Sequence, residues 1–411
     1  MMKTMRGVLP VLLILAAPPL MLYTLWVNPL SAGEDDVVYY YPLRTMVGRC
    51  LAEGVWRGSN ALEATGAPLM ADPQSAVMFP ATWLFAVLPG RSAYTLSIFV
   101  GFWLAGIGTF VYLRRIGLAR AAAAFGAIAF MFSGFLVGHR VHLAMVHTAA
   151  FLPWGLWCIE AARTNPRLGF AGMTPVVFLA LAAGHWAVLV YVGLVWAAYF
   201  LFRGRPFLRS LGVLLAAGAL ALAIAAPQIL ATFEALQQTT RQRIGYATAG
   251  ENSFFPAAAI LALLPMIFGS RTPNFFPQQW WGPWHLCEML GYVGLVTLGL
   301  ACGAVWTLYR RKGDAPTGVR EGGFQDERAG GEGPRGSQSA GVSSEWAGKR
   351  GTATPRSDAV DLTGMVRVWT WITIGAGVWM LGYYLPTYRL VHMLPVLGVV
   401  RCPARMVLAV D

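Results

Sequence analysis

Charge is what this sequence has least of. Asp, Glu, Lys and Arg make up 12% of its 411 residues, about half the share of an ordinary soluble domain, which excludes a globular chain surrounded by water. Acid is scarcer than base, with 19 Asp and Glu against 31 Lys and Arg. The resulting formal charge of +12 would suit nucleic acid if it were gathered on one surface. It lies instead in short turns between apolar blocks and no DNA-reading motif accompanies it, so nucleic acid is not an expected partner. Cysteine is sparse too: Cys50, Cys158, Cys287, Cys302 and Cys402 form no CxxC pair and no zinc spacing. They read as isolated small apolar residues, with one disulfide among Cys50, Cys287 and Cys402 left open. No P-loop, dinucleotide fingerprint or G-x-S-x-G elbow occurs in a fitting context.

What the chain has is apolar length. It is 56% hydrophobic and 13% aromatic, and the apolar residues come in blocks near the roughly 20 needed to cross about 30 Å of hydrocarbon as a helix. The expected fold is all-α, a polytopic transmembrane helical bundle. Spans are read at 8–27, 92–113, 119–138, 143–162, 170–184, 186–202, 210–231, 289–309 and 366–385, with another opening at Met406. The first follows Lys3 and Arg6 and ends in WVNPL without a small-residue cleavage site, so it is read as a retained helix. Basic turns at Arg114, Arg115 and Arg120, at Arg163 and Arg167, at Arg203, Arg205 and Arg209, and at Arg310, Arg311 and Lys312 set the orientation if all four face the cytoplasm.

Segments 75–89 and 254–268 carry two prolines each and break that alternation; they read as re-entrant or interfacial segments on the outer face. The organisation expected is a membrane region at 1–309 with external loops 28–91 and 232–288, a disordered cytoplasmic linker at 310–365, and a C-terminal membrane segment at 366–411. The chain stops a few residues into what reads as a new span, so further helices are expected beyond it.

On this topology the outer face collects the chemistry. GEDDVVYYYP (Gly33 to Pro42) places Glu34, Asp35 and Asp36 at the lip of the first span. Adjacent carboxylates repel, and a proton, hydrogen bond or cation must relieve them; a merely solvated acidic loop is the plainer alternative. External arginines that match phosphate are Arg241 and Arg243 in TTRQRIGY and Arg401 and Arg405 in RCPAR, each also able to anchor a loop to lipid headgroups. The turn of RCPAR is expected to hold Arg401 and Arg405 near one depth. His139, His142 and His147 lack an interleaved carboxylate and read as polar loop residues rather than a metal site, with His185 and His285 treated alike. Glu288 reads equally as a site residue or as a charge favouring a helix N-terminus. The aromatic loop Phe275 to His285 suits an interfacial belt or stacking against sugar.

Several landmarks in order resemble the YfhO-like bacterial membrane proteins, in the broad GT-C class of polytopic glycosyltransferases. They are the Asp-to-Pro42 aromatic run, the Gly66-Ala67-Pro68 turn, Asp72 to Pro80 (DPQSAVMFP), and Ser133-Gly134 before a His-rich loop and Leu152-Pro153-Trp154. Gly184-His185, Glu288 before Gly291-Tyr292-Val293-Gly294, and Tyr388 to Arg405 complete the set. The resemblance implies a GT-C-like bundle that moves a sugar from a polyprenyl-phosphate donor to a surface polymer, glycolipid or protein acceptor at the outer face of the cytoplasmic membrane. It also implies that the essential carboxylate lies in the first external loop, at Asp35 or Asp36. Those two would act as base or, paired, hold Mg²⁺ or Mn²⁺. Arg401, Arg405, Arg241, Arg243, His142, His185, Glu288 and Tyr41 are the expected substrate-binding residues. The competing functions are a transporter or flippase for a lipid-linked saccharide and a non-catalytic envelope-assembly protein.

Overall fold

A computed structural model of the chain describes residues 2–30, 35–54, 59–60, 67–238, 245–270, 279–282, 285–313, 361–394, 397 and 400–410. The expected linker at 310–365 lies almost wholly outside them. The chain runs through α1 (Met2–Met21), α2 (Tyr41–Glu53), α3 (Pro80–Val87), α4 (Gly90–Arg115), α5 (Arg120–Met131), α6 (Gly134–Gly138), α7 (Leu143–Ala149), α8 (Leu152–Thr164), α9 (Pro166–Ala182), α10 (Trp186–Arg203), α11 (Phe207–Ile224), α12 (Ala226–Leu236), α13 (Leu286–Met289), α14 (Leu295–Gly313) and α15 (Leu362–Met380). An antiparallel pair of two-residue strands, Ser59–Asn60 with Ala67–Pro68, is the sole sheet among the described residues.

Four helices are long and apolar enough to cross a membrane by length and composition: Gly90–Arg115, Arg120–Gly138, Trp186–Arg203 and Phe207–Ile224. Val8–Met21, Pro166–Ala182 and Leu295–Arg310 are shorter apolar helices. Several expected spans are therefore reshaped, and proline explains most of the changes. The 143–162 block divides into α7 and α8 at Ala150–Phe151, ahead of Pro153. The 210–231 block divides at Ala225, ahead of Pro227. A ring nitrogen without a proton suits a first helical turn and breaks an interior one. Gln228, the polar interruption of that block, is buried and donates its amide to the Met70 carbonyl. In 75–89, α3 is eight residues long and rises only about 12 Å; in 254–268 the ordered part is a 3-10 helix, Pro256–Ala262. Met406 opens no long helix: it sits in a buried 3-10 helix, Pro403–Ala409, packed on α15.

α4 is the centre of the core, with Tyr94, Ile98, Phe99 and Phe102 fully buried among α1, α5, α7 and α8. At the Arg203 end of α10, Glu160 is buried and saturated. It accepts from the Tyr199 hydroxyl at 2.6 Å, from Arg203 Nε at 3.0 Å and from Arg163 Nη1. That cluster fastens the C-terminal ends of α8 and α10 together. No disulfide joins the cysteines, and Cys50, Cys158 and Cys402 are buried as small apolar residues.

Candidate active site

Asp35 and Asp36 start a helix rather than lying in a loop. Asp36–Tyr40 forms a π-helical turn that runs directly into α2. Leu43, Met46, Val47 and Cys50 recur at helical spacing and bury one face against Leu69 and Val77, and Gly54 ends the helix in the left-handed conformation. The geometry separates the two aspartates. Consecutive helical positions project about 100° apart, so Asp35 keeps 64% of its side chain exposed while Asp36 is fully buried and accepts from the Val37 amide at 3.0 Å.

From Asp35 a chain of polar contacts leads inward. Asp35 Oδ2 lies 3.3 Å from His142 Nε2, and His142 Nδ1 lies 3.2 Å from His139 Nδ1. His139, with no exposed surface, turns its Nε2 toward Glu288 Oε2 at 3.7 Å, too far for a hydrogen bond. Glu288 in turn is held from both sides by Arg405, whose Nε reaches its oxygens at 3.1 and 2.9 Å and whose Nη2 reaches Oε1 at 2.6 Å. Burial pushes the Glu288 carboxyl up, but Arg405 and His139 outweigh it and hold it at about 2. Burial drives the His139 imidazole well below its ordinary range against the pull of Glu288. His139 Nε2 is thus a buried nitrogen without a hydrogen-bond partner, aimed at a carboxylate.

Two glycines and one tyrosine bring these distant segments together. Gly134 donates its amide to Tyr292 at 2.8 Å, and a Cβ there would stand 2.4 Å from the Leu290 carbonyl. This contact seats α13, with Glu288, beside His139. Gly184 has φ +98°, and a Cβ would fall 2.0 Å from the Pro73 carbonyl, so the Gly184-His185 turn presses against the DPQ segment. The Tyr191 hydroxyl donates to the carbonyls of Arg401 and Cys402 at 3.0 and 3.1 Å. With Cys402 at φ 62°, this fixes the direction in which Arg405 leaves the turn.

The expected site residues are partly gathered and partly dispersed. Asp35, His142, Glu288 and Arg405 lie on one chain of contacts. His185 is beside it: burial and then Arg405 push its imidazole down while Glu288 pulls it up. Its Nδ1 accepts from the Val188 amide at 3.2 Å. Arg401 does not share the depth of Arg405; it is half-exposed and pairs with Glu251 at 2.9 Å. Arg401 precedes Cys402, whose φ is 62°, and Arg405 lies in the 3-10 helix that follows, so the two guanidinium groups diverge. Tyr41 packs edge-on against Tyr94 with ring centroids 6.0 Å apart and places its hydroxyl at Gly90. Arg241 and Arg243 fall outside the described residues, as does Glu34. Of the aromatic loop, Trp280 and Trp281 meet Phe268 edge-on, with ring centroids 6.1 and 4.9 Å away.

Sequence reading passed over the support behind Asp35. The Tyr39 hydroxyl donates to Asp72 Oδ2 and the Tyr40 hydroxyl to Gln74 Oε1 at 2.6 Å, tying the aromatic run to the DPQ segment. Tyr40 also lies edge-on to His142. Arg44 is wholly buried; burial lowers it to about 10, against the pull of Tyr40 and Asp72. It donates to Thr82 Oγ1, and its Nε and Nη2 have no hydrogen-bond partner among the described residues. The i, i+3 spacing from Leu43 was the available signal for the helix that carries it.

A shared divalent ion does not fit the pair Asp35 and Asp36, since one faces out and the other is buried against its own backbone. Among the described residues no three His, Cys, Asp or Glu side chains converge on a point. No protein-family model, curated protein or solved structure matches the chain.

Proposed function

We propose that the chain is a membrane glycosyltransferase of GT-C-like type, moving a sugar from a polyprenyl-phosphate donor to a hydroxyl acceptor at the outer membrane face. The observation that carries this reading is the run of polar groups Asp35, His142, His139, Glu288 and Arg405, open only across the 3.7 Å between His139 and Glu288, which links an exposed carboxylate to a largely buried guanidinium drawn from the far end of the sequence. Transfer needs a base at the acceptor and positive charge at the departing phosphate. Asp35 supplies the first. Arg405, whose Nη1 is not engaged by Glu288, supplies the second. The acceptor oxygen forms a bond to the anomeric carbon, the carbon–oxygen bond to phosphate breaks with its electron pair going to phosphate, and the hydroxyl proton passes to Asp35.

The histidines orient the carboxylate that takes that proton. A neutral His142 that donates Nε2–H to Asp35 must accept at Nδ1, so His139 donates from Nδ1 and its Nε2 faces Glu288 bare.

Reconstitution with a polyprenyl-phosphate sugar tests the reading. Asp35→Asn is expected to lower transfer about 10² to 10⁴-fold, the usual worth of a positioned base. Full transfer by both Asp35→Asn and Asp36→Asn, in protein that is folded and inserted, would refute it. Wild-type protein that moves labelled lipid-linked sugar across vesicles without transferring it would establish the transporter instead.

A further inference from the structure

Far from the histidines, at the Arg203 end of the bundle, a groove of about 560 Å³ runs between α9 and α11. Its floor and walls are apolar, with Phe170, Leu208 and Val213, and its rim carries Arg167 and Arg209. The site of Gly212 opens into empty space: a Cβ there would meet no atom within 4 Å. Of the four helices apolar enough to span a membrane, α11 has the least of its surface covered, 17% of its apolar window. This end of the molecule is rich in arginine and poor in acid. Its buried carboxylate, Glu160, is fully used by Arg163, Arg203 and Tyr199. Arg114 and Arg115 are turned onto the Leu118 carbonyl and the Thr164 hydroxyl. Arg167 and Arg209 are exposed, and no carboxylate among the described residues pairs with either.

We propose that this groove binds one anionic phospholipid, with Arg167 and Arg209 on the headgroup phosphate and the acyl chain laid along Phe170, Leu208, Gly212 and Val213. Two guanidinium groups beside one open apolar groove match the two halves of such a lipid, a charged head and a hydrocarbon tail. A free phosphate would use the arginines and leave the apolar walls without a partner. A zwitterionic lipid would fit the walls and leave the charge uncompensated. On the orientation that the basic turns imply, this end faces the cytoplasm, where the leaflet carries anionic lipid.

The experiment uses the full chain in detergent micelles, with native mass spectrometry reading retained lipid. Phosphatidylglycerol is expected to stay bound, whereas phosphatidylcholine with the same acyl chains and millimolar inorganic phosphate neither bind nor displace it. Each of Arg167→Gln and Arg209→Gln should weaken retention about fivefold and the double variant about 25-fold. Gly212→Trp keeps both charges but fills the channel, and should weaken phosphatidylglycerol about tenfold. Arg310→Gln, at the same end of the molecule but off the groove, should behave as wild type. Retention by the double variant equal to wild type, equal retention of phosphatidylcholine, displacement by inorganic phosphate, or an equal loss in Arg310→Gln would each overturn the proposal.

Discussion

Two buried carboxylates stand near opposite ends of α10, whose eighteen residues rise about 27 Å, and they are built differently. Glu160 receives the Tyr199 hydroxyl and two arginines, and no buried polar side-chain atom of that cluster lacks a partner. Glu288 receives one arginine bidentately and faces a histidine nitrogen that has no partner. A saturated cluster is finished: it fastens helices and offers nothing to a ligand. An orphaned buried nitrogen is an unfinished one, and here it connects through His142 to an exposed carboxylate. Both ends are arginine–glutamate pairs, so composition alone does not tell them apart; satisfaction of the hydrogen bonds does.

The widest separation between the two ends should appear in activity per folded molecule. Arg405→Gln and Glu288→Gln are expected to lower sugar transfer about 10² to 10³-fold, the usual cost of removing a preorganised charge partner. Glu160→Gln should leave transfer per folded molecule within about threefold while lowering stability by about 1–3 kcal/mol, since Arg163 and Arg203 are partly exposed and can turn to water. Equal effects from the two glutamates, measured by transfer assay and thermal unfolding on the same preparations, would collapse the distinction.

How far the sequence foretold these ends follows from what each depends on. Apolar blocks imply membrane helices because backbone groups must bond internally in lipid, and α4, α10 and α11 were legible on that ground. Breaks at Pro153 and Pro227 were written in the sequence too, but block length outweighed them in the reading. The candidate residues Asp35, His142, Glu288 and Arg405 were legible as types. Their meeting was not, because it depends on backbone approaches at Gly134 and Gly184, and a glycine's neighbours are absent from its own sequence context. The divergence of Arg401 from Arg405 was illegible for the same reason: it follows from Cys402 at φ 62° under Tyr191.

Those glycines supply the next test. Gly184→Ala meets the Pro73 carbonyl and an unfavourable φ together, and is expected to cost about 2–4 kcal/mol and to loosen the Glu288 end while the Glu160 end stays fastened. Gly134→Ala should act likewise through Leu290. Hydrogen exchange would show protection lost at 134–142 and 286–290 but kept at 156–163; uniform loss would mean that the two ends unfold as one unit.

Acid should sort the ends by a smaller margin. His139 is held neutral by burial, below its ordinary 6.5, so the unfolded chain takes up that proton first and stability falls as pH drops below about 6.5. The Glu288 carboxyl is depressed from 4.5 to about 2. Its contribution is complete above about 4.5 and is lost as pH falls from there through about 2. The Glu160 cluster contains no histidine, so the upper window belongs to the other end alone. His139→Gln should make the fall of the unfolding temperature between pH 6.5 and 4.5 shallower, with buried His185 keeping the remainder, and leave the lower slope in place.

The smallest expected effect separates two arginines four residues apart. Arg401 pairs with Glu251 where both side chains are more than a third exposed, and such pairs contribute about 0–1 kcal/mol. Arg401→Gln should therefore shift stability by no more than that and leave transfer within about threefold, where Arg405→Gln abolishes most of it. The contrast is sharper than one between unrelated positions, because both residues hang from the same turn, and Tyr191 fixes that turn through the carbonyls of Arg401 and Cys402. Tyr191→Phe removes that hold and leaves both guanidinium groups in place. It should lower transfer while Arg401→Gln does not, since what matters about the turn is where it sends Arg405.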